Sequence, residues 1–238
     1  MSMESRVFIL KNKKEEVPGI FTLEFIPANE TIFDFKAGQF ALLQILKKDF
    51  AGVYGKAYTI TSLLGDEFLT FAVKRIGIFS NALCDLEIGD EVKATGPYGN
   101  FYPVESDKKD IVFLAGGIGI TPFYAVIKDF YKRAVDRKII LFFSNRNKSD
   151  IAFFEELKKI SDKWKNLEII HILTREKEKV PGVKEYERLN IEMLKKYFMD
   201  LGGKDYFICG PNNFVTDIRE QLKNAGVKRD FIKIEAFY

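Results

Sequence analysis

A glycine-rich segment between an apolar run and a helical pattern is the part of this sequence best suited to hold a phosphate. Residues 111–114 form a short apolar run typical of a buried strand, and three glycines follow within residues 115–119. We expect Thr121 to cap, and Pro122 to begin, a helix over residues 123–133. Free N–H groups and the helix dipole at such a start attract anions. Pro122 replaces the third glycine of G-x-G-x-x-G, so a tight turn without a ligand is the alternative.

A second candidate is the heptapeptide K-A-Y-T-I-T-S, which begins at Lys56. In a strand, Lys56, Tyr58 and Ile60 share one face, while Ala57 and Thr59 share the other. Such a strand offers a positive charge for a phosphate, a flat surface for a ring and a hydroxyl donor. Taken alone, the segment is more typical of an ordinary polar strand with a surface tyrosine.

A third candidate lies where a predicted strand ends in Lys74 and Arg75, turns at Gly77 and enters a helix capped by Ser80. The N–H groups of a helix start would again face a place suited to a phosphate. A solvated Lys–Arg pair beside a turn is the alternative. The sequence G-P-Y-G-N-F at residues 96–101 has turn chemistry, and we interpret it as structural.

The first hundred residues predict short strands with partial alternation, separated by turn residues. The predicted strands cover residues 6–11, 20–26, 39–45, 57–61, 68–74 and 91–95, and one helix covers residues 80–86. Six short strands in so few residues favour a small antiparallel β-barrel.

The rest of the chain alternates strands with helices, which predicts an α/β domain with a parallel sheet. The predicted strands cover residues 111–114, 139–143, 167–172 and 206–209, and the helices cover residues 123–133, 151–163, 191–197 and 215–224. The segments that follow these strands are expected to converge at one sheet edge, because ligands bind at the carboxyl ends of parallel strands. Residues 232–238 predict a final strand. We place the boundary in a polar segment, giving domains of residues 1–105 and 106–238.

The composition excludes several classes of protein. The chain has 238 residues, 47% of them hydrophobic and 30% charged, with a net charge of +3 and no dense basic run, so we expect no nucleic-acid partner. No apolar stretch approaches the length of a membrane span, and the first residues lack signal-peptide features. Two cysteines allow no disulfide framework and no four-cysteine metal or iron–sulfur site, so we predict no metal and a cytoplasmic location.

Six motifs occur here in the order and spacing of one family. They are K-A-Y-T at 56–59, G-I-F-S at 77–80, G-P-Y-G at 96–99, G-I-G-I-T-P at 117–122, C-G-P at 209–211 and E-A-F at 235–237. The chain therefore resembles the ferredoxin–NADP reductase superfamily, close to its flavin-reductase-like members, over essentially its whole length. F-K-A-G-Q-F at 35–40 is similar to the family's F-x-P-G-Q-F. The resemblance implies an FAD-binding antiparallel barrel, then an NAD(P)-binding α/β domain whose C-terminal strand returns to the flavin.

The resemblance implies a set of flavin-binding residues. The family's R-x-Y-[ST] motif corresponds to Lys56, Tyr58 and Thr59, with Tyr58 against the isoalloxazine and Thr59 near its N5 atom. Lysine keeps the charge of the family's arginine but loses its planar two-pronged donor, which weakens the expected grip on the diphosphate. Ser62 is similar to the FAD-type continuation, and FMN is the weaker alternative. The full implied FAD set is Lys56, Ala57, Tyr58, Thr59, Ser62, Val73, Lys74, Arg75, Gly77, Ile78, Phe79, Ser80, Thr121 and Phe237.

The resemblance also implies a site for a nicotinamide nucleotide. Its residues would be Gly116, Gly117, Gly119, Thr121, Pro122, Ser144, Arg146, Cys209, Gly210 and Pro211. Ser144 and Arg146 lie where relatives choose between NADPH and NADH. A hydroxyl and a guanidinium slightly favour NADPH, and Lys148 and Arg175 add charge. NADH-using relatives also carry positive charge there, so both nucleotides stay open.

Three residues are implied to be catalytic: Thr59, Cys209 and Glu235. Cys209 would place the nicotinamide sterically rather than act as a nucleophile, and a small buried strand residue is the alternative. Glu235 would be the carboxylate beside the reacting rings, and Phe237 would lie on the flavin face opposite Tyr58.

The resulting hypothesis is an FAD-dependent oxidoreductase. It would transfer a hydride between NAD(P)H and FAD and pass electrons to a carrier such as ferredoxin or flavodoxin. A free-flavin reductase is the enzymatic alternative. An electron-transfer subunit of a larger redox complex is the other alternative, which we disfavour because such subunits in the family add a cysteine cluster. We interpret the single histidine, His171, as a satisfied core or edge position rather than a base.

Overall fold

A computed structural model describes residues 4–29, 31–50, 55–104 and 107–237. The chain divides into two compact units: one comprises residues 1–102 and 124–129, and the other comprises residues 103–123 and 130–238. The predicted boundary between residues 105 and 106 lies outside the described residues. None of the helices in the described ranges is long and apolar enough to cross a membrane.

The first unit is built on a six-stranded antiparallel sheet. Its strands are β1 (Glu4–Val17), β2 (Ile20–Pro27), β3 (Phe40–Ile45), β4 (Lys56–Thr59), β5 (Leu69–Lys74) and β6 (Glu91–Tyr98), in the order β4-β3-β6-β1-β2-β5. A bridge between Ile60 and Phe71 joins the two sheet edges, and the Thr61 N–H donates to the Thr70 carbonyl at 2.8 Å. The sheet is therefore a nearly closed barrel, which confirms the predicted fold.

Helix α1 (Ile78–Asp85) is anchored to the barrel at its C-terminal end. The Lys13 ammonium donates to the carbonyls of Cys84, at 3.1 Å, and Leu86, at 2.7 Å, where the helix dipole favours a cation. Leu83 and Cys84 are fully buried in the barrel core.

The start of α1 differs from the prediction. Gly77, not Ser80, is the N-cap residue, and Ser80 lies one turn inside the helix. The Ser80 Oγ accepts from the N–H groups of Ile76 and Gly77, both at 3.0 Å. The Ser80 hydroxyl therefore reaches back to the turn, as the N3 side chain does in a capping box, and the helix begins two residues before the predicted position.

The second unit is a five-stranded parallel sheet with helices between the strands, as predicted. Its strands are β7 (Asp110–Gly116), β8 (Ile139–Asn145), β9 (Leu167–Leu173), β10 (Lys204–Pro211) and β11 (Ile232–Phe237), in the order β11-β10-β7-β8-β9. The helices are α2 (Thr121–Lys132), α3 (Phe154–Lys163), α4 (Ile191–Tyr197) and α5 (Asn212–Asn224). One sheet face, including Val112, Leu114, Phe142 and Ile208, packs in a core shared with α4 and α5.

Three helix starts in this unit differ from the prediction, and the simplest case is α5, which begins at Asn212 rather than at residue 215. Thr121 is already helical (φ −55°, ψ −47°) and follows a 3₁₀ turn over Gly117–Ile120, so it does not cap α2. Its hydroxyl donates to the Ile118 carbonyl at 3.2 Å. Helix α3 begins at Phe154 rather than at residue 151, because Phe153 has a left-handed φ of 60° that interrupts helical geometry.

His171 is half-buried between aromatic rings, and its hydrogen-bonding potential is not satisfied. Its ring is 5.2 Å from Phe154 and 6.0 Å from Phe143, centroid to centroid. Within the described part of the chain, its buried Nδ1 has no hydrogen-bond partner. Burial lowers the pKa of His171 to about 4, so the imidazole is neutral at physiological pH. This corrects the expectation of a satisfied histidine.

The lowered pKa predicts an acid-sensitive contribution to stability. The unfolded chain binds a proton near pH 6.5 and the folded chain only near 4, so stability is complete above pH 6.5 and is lost as pH falls toward 4. We expect this loss to reach about 2 kcal/mol after allowance for partial exposure. The variant His171→Phe should flatten the free energy of unfolding between pH 6.5 and 4 in urea titrations. An unchanged slope would contradict this account.

Candidate functional site

In the first unit, β4 runs from an exposed start to a buried end. Lys56 and Ala57 are exposed, Tyr58 is half-buried and Thr59 is buried, so exposure does not alternate as the strand pattern predicts. The Tyr58 ring stacks on Phe79 of α1, with centroids 6.4 Å apart and planes 20° apart. Burial raises the pKa of Tyr58, which keeps the phenol protonated. The Thr59 hydroxyl makes no hydrogen bond to any residue that the structure describes.

The start of α1 offers backbone donors to an anion. Helix geometry leaves the N–H groups of Ile78, Phe79 and Ser80 without intrahelical partners. A Cβ added to Gly77 would meet no atom within 4 Å, so the approach to these groups is open. Ile78 is 85% exposed. The arrangement therefore suits a diphosphate, with the exposed ammonium groups of Lys56 and Lys74 in the same unit.

Other side chains in the implied flavin set are used within the barrel. Val73 points into the core, and the Arg75 guanidinium pairs with Asp85 at 2.5 Å and lies 5.0 Å from the Phe21 ring. The Ser62 Oγ accepts from the Thr70 N–H at 3.1 Å. For these positions the structure shows structural contacts for the side chains, and among the described residues the Ser62 O–H keeps its donor free for a ligand.

In the second unit, the glycine-rich turn packs directly against the C-G-P segment at the end of β10. A Cβ on Gly119 would lie 2.3 Å from the Cys209 carbonyl oxygen and 2.7 Å from the Gly210 nitrogen, which only glycine avoids. A Cβ on Gly116 would lie 3.2 Å from both Phe214 and Pro211. The strand register places these two segments side by side at the carboxyl edge of the sheet, as predicted.

Cys209 and Glu235 are neighbours in register on the parallel strands β10 and β11. Burial raises the pKa of the Cys209 thiol well above its usual value, and Glu235 nearby adds to the effect. Burial also raises the pKa of Glu235 to about 7. The thiol therefore stays protonated, while the carboxyl group can hold or release a proton near neutral pH.

The carboxyl ends of β8 and β9 carry the residues expected to contact the far end of a nucleotide. Gly116 is in register with Ser144, so this segment lies beside the glycine-rich turn. Ser144 is half-buried, and Arg146 and Arg175 are exposed on adjacent loops. The Arg175 N–H donates to the Arg146 carbonyl at 2.8 Å, which continues the strand pairing beyond the sheet.

Sequence reasoning missed Phe214, whose ring is packed against both glycine-rich segments. A Cβ on Gly210 would lie 3.0 Å from this ring, and one on Gly116 would lie 3.2 Å from it. The sequence signal that could have found it is its position, because Phe214 is an aromatic residue three positions after Pro211, at the start of α5. Phe237, implied to reach the flavin, lies at the end of β11 in register with Pro211.

Comparisons with known proteins agree with this architecture. Residues 113–220 match the family model described as "Oxidoreductase NAD-binding domain". The chain is 33% identical over 208 residues to the ferredoxin reductase component of a 3-ketosteroid-9-alpha-monooxygenase from Mycolicibacterium smegmatis, covering 85% of this chain and 56% of the relative. It is 29% identical to a glycine betaine monooxygenase reductase subunit from Pseudomonas aeruginosa, covering 94% and 62%. The chain thus spans little more than half the length of these relatives.

A solved structure shows the same fold over the whole chain. It is the flavohem-like FAD/NAD-binding domain of a nitric oxide dioxygenase from Vibrio cholerae, with a TM-score of 0.84, 20% identity and 98% of each chain covered. The nearly closed antiparallel barrel and the parallel α/β unit of this chain are therefore the two parts of the fold seen in this FAD/NAD-binding domain. The match to the NAD-binding family model and the identity to a ferredoxin reductase component support the resemblance to the ferredoxin–NADP reductase superfamily.

Proposed function

We propose that the chain is an FAD-dependent oxidoreductase that exchanges a hydride with NAD(P)H and passes electrons to a carrier such as ferredoxin or flavodoxin, or to an oxygenase component. The observation that carries the proposal is the packing of the glycine-rich turn onto the Cys209 carbonyl. This turn joins β7 to α2, and a strand, a glycine-rich turn and a helix in this order are typical of nucleotide-binding sites. The names of the relatives as reductase components of monooxygenases support the same activity.

The described residues of the first unit fit an FAD molecule. The open N–H groups at the start of α1 would hold its diphosphate, with the Lys56 ammonium adding charge, and Tyr58 would supply a flat surface for its ring system. When bound, FAD supplies both hydride acceptance and single-electron transfer. Thr59 is a buried residue, and its hydroxyl, which has no protein partner among the described residues, is available to donate to a ring nitrogen.

The residues of the second unit would bind and orient the nicotinamide nucleotide. The turn over Gly117–Ile120 and the start of α2 would face its diphosphate. The neutral Cys209 thiol would position the nicotinamide ring by steric contact. Glu235, with a pKa of about 7, would hold a proton near the site. Thr59, Cys209 and Glu235 thus remain the proposed catalytic residues, and the electron-transfer partner and cytoplasmic location remain predictions.

One observation favours a second candidate function, the reduction of free flavin. Lys56 stands where the family has arginine, and its ammonium is exposed, so the flavin would be held by fewer directional contacts. A protein of this kind would release reduced flavin rather than pass electrons to a bound carrier. Turnover that saturates with added FAD and needs no carrier protein would identify it.

The affinity for FAD tests the flavin site. Because a charge-assisted contact is worth about 1.5–3 kcal/mol, Lys56→Ala should raise the Kd for FAD about 10- to 100-fold, and Lys56→Arg should lower it. The quenching of FAD fluorescence on binding measures both changes. Lys93→Ala, which removes another exposed strand lysine of the same barrel, is the matched control and should leave the Kd unchanged. Equal affinities for all four proteins would contradict the assignment of this site.

A further inference from the structure

The loop after β8 has its backbone donors occupied by two carboxylates. The Asn147 N–H donates to Asp150 Oδ2 at 3.0 Å, and the Asn147 side-chain amide donates to the same oxygen at 3.1 Å. The next N–H, of Lys148, donates to Glu176 Oε2 at 2.9 Å. Asp150 is part of the loop itself, but Glu176 comes from the loop after β9, 28 residues further along the chain.

The position of Glu176 is fixed by the pairing of the two loops. The Thr174 N–H donates to the Asn145 carbonyl at 3.0 Å, and the Arg175 N–H donates to the Arg146 carbonyl at 2.8 Å. These bonds carry the chain past the ends of β8 and β9 and bring the Glu176 carboxylate over the Lys148 N–H. The carboxylate therefore lies beside the segment that begins at Ser144, where the adenosine ribose of a nucleotide is expected.

The two nucleotides differ at this ribose only in the group on the 2′ carbon. A 2′-phosphate adds about 1.5–2 negative charges and requires N–H donors and cations. A 2′-hydroxyl is neutral and donates well to a carboxylate, which is how acidic residues favour NAD in other dinucleotide sites. In the loop after β8, the N–H groups of Asn147 and Lys148 already serve carboxylates, and both carboxylates repel a phosphate.

Cations nearby act in the opposite direction. Arg146, Lys148 and Arg175 are exposed, and within the described part of the chain none of them forms an ion pair. Solvent screens such long, exposed side chains, whereas Glu176 is half-buried and accepts a hydrogen bond from the Lys148 N–H. The Glu176 carboxylate therefore opposes a 2′-phosphate at the one backbone donor that it occupies.

We propose that Glu176 is a specificity-determining residue that makes the nucleotide site favour NADH over NADPH. The inference rests on the proposed function, because it assumes that a nicotinamide nucleotide binds at the carboxyl edge of this sheet.

The test is the pair of variants Glu176→Gln and Glu178→Gln. Glutamine keeps an oxygen that accepts from the Lys148 N–H, so Glu176→Gln removes the charge and preserves the loop. Glu178→Gln removes an identical charge from an exposed residue two positions away and is the matched control. Isothermal titration calorimetry gives the Kd for NAD⁺ and NADP⁺, and kcat/KM for NADH and NADPH gives an independent readout.

The wild-type protein should bind NAD⁺ more tightly than NADP⁺. Glu176→Gln should improve NADP⁺ binding relative to NAD⁺ about tenfold, the expected effect of removing one nearby charge, and Glu178→Gln should change the ratio less than twofold. Tighter binding of NADP⁺ by the wild type, or an unchanged ratio in Glu176→Gln, would overturn the inference and leave the proposed function intact. Failure of all three proteins to bind either nucleotide would overturn the proposed function together with the inference.

Discussion

Arg137→Ala is expected to destabilise the second unit by about 3–5 kcal/mol, because it leaves a buried carboxylate without its partner. Arg137 and Asp205 are 5% and 4% exposed, and the Arg137 Nη2 donates to Asp205 Oδ2 at 2.7 Å. The guanidinium also donates to the carbonyls of Lys109, at 2.6 Å, and Val104, at 2.9 Å. One side chain thus ties the start of β10 to the chain entering β7.

Urea unfolding of matched variants measures this contribution. Lys138→Ala, next in the chain, removes an exposed lysine whose nearest carboxylate, on Glu168, is 4.0 Å away, and should cost less than about 1 kcal/mol. Arg137→Lys keeps the charge but cannot reach all three acceptors, so its loss should fall between the two. If Arg137→Ala were no more destabilising than Lys138→Ala, the pair would not have the structural role assigned to it.

Gly119→Ala is expected to reduce nucleotide-dependent flavin reduction at least about 100-fold, because a misplaced binding segment is costly to an oriented reaction. The added Cβ would lie 2.3 Å from the Cys209 oxygen and 2.5 Å from its carbonyl carbon, both backbone atoms that cannot rotate away. Either the turn or the end of β10 must shift, and both belong to the proposed nucleotide site. Stopped-flow absorbance of the flavin bands measures the rate.

Gly202→Ala is the control for this prediction. The three atoms nearest to its Cβ would all belong to the Asp200 carboxylate, the first at 3.2 Å, and this flexible side chain can move by the few tenths of an ångström required. This variant should fold normally and reduce flavin at the wild-type rate. A Gly119→Ala protein that is folded and equally fast would show that the contact between turn and strand does not shape the site.

The strands were predictable because burial determines the pattern of apolar residues: a strand buried on both faces is continuously apolar, and a strand buried on one face alternates. The apolar runs at residues 111–114 and 139–143 are typical of strands covered on both faces, and each lies in an interior strand of the parallel sheet. In the barrel, partial alternation and turn residues were enough to locate all six strands. Helix starts were less predictable, because the roles of Ser80 and Thr121 depend on which backbone groups the fold leaves free.

Contacts between distant residues carried no local pattern. Arg137 meets Asp205 across 68 positions, and Glu176 meets Lys148 across 28, so no spacing rule could pair them. Whether Nδ1 of His171 has a hydrogen-bond partner also depends on packing, and the sequence of the strand does not reveal it. The motif segments were located from the sequence. The contacts of Ser62 with Thr70 and of Arg75 with Asp85 were found only in the structure.

The most direct test of the central claim is the visible spectrum of the purified protein, followed anaerobically while NADH or NADPH is added. The account predicts two flavin bands, present as purified or after addition of FAD, that bleach on addition of a nicotinamide nucleotide. It also predicts that NADH bleaches them at lower concentration than NADPH. A colourless protein that neither binds added FAD nor oxidises either nucleotide would contradict the proposed reductase.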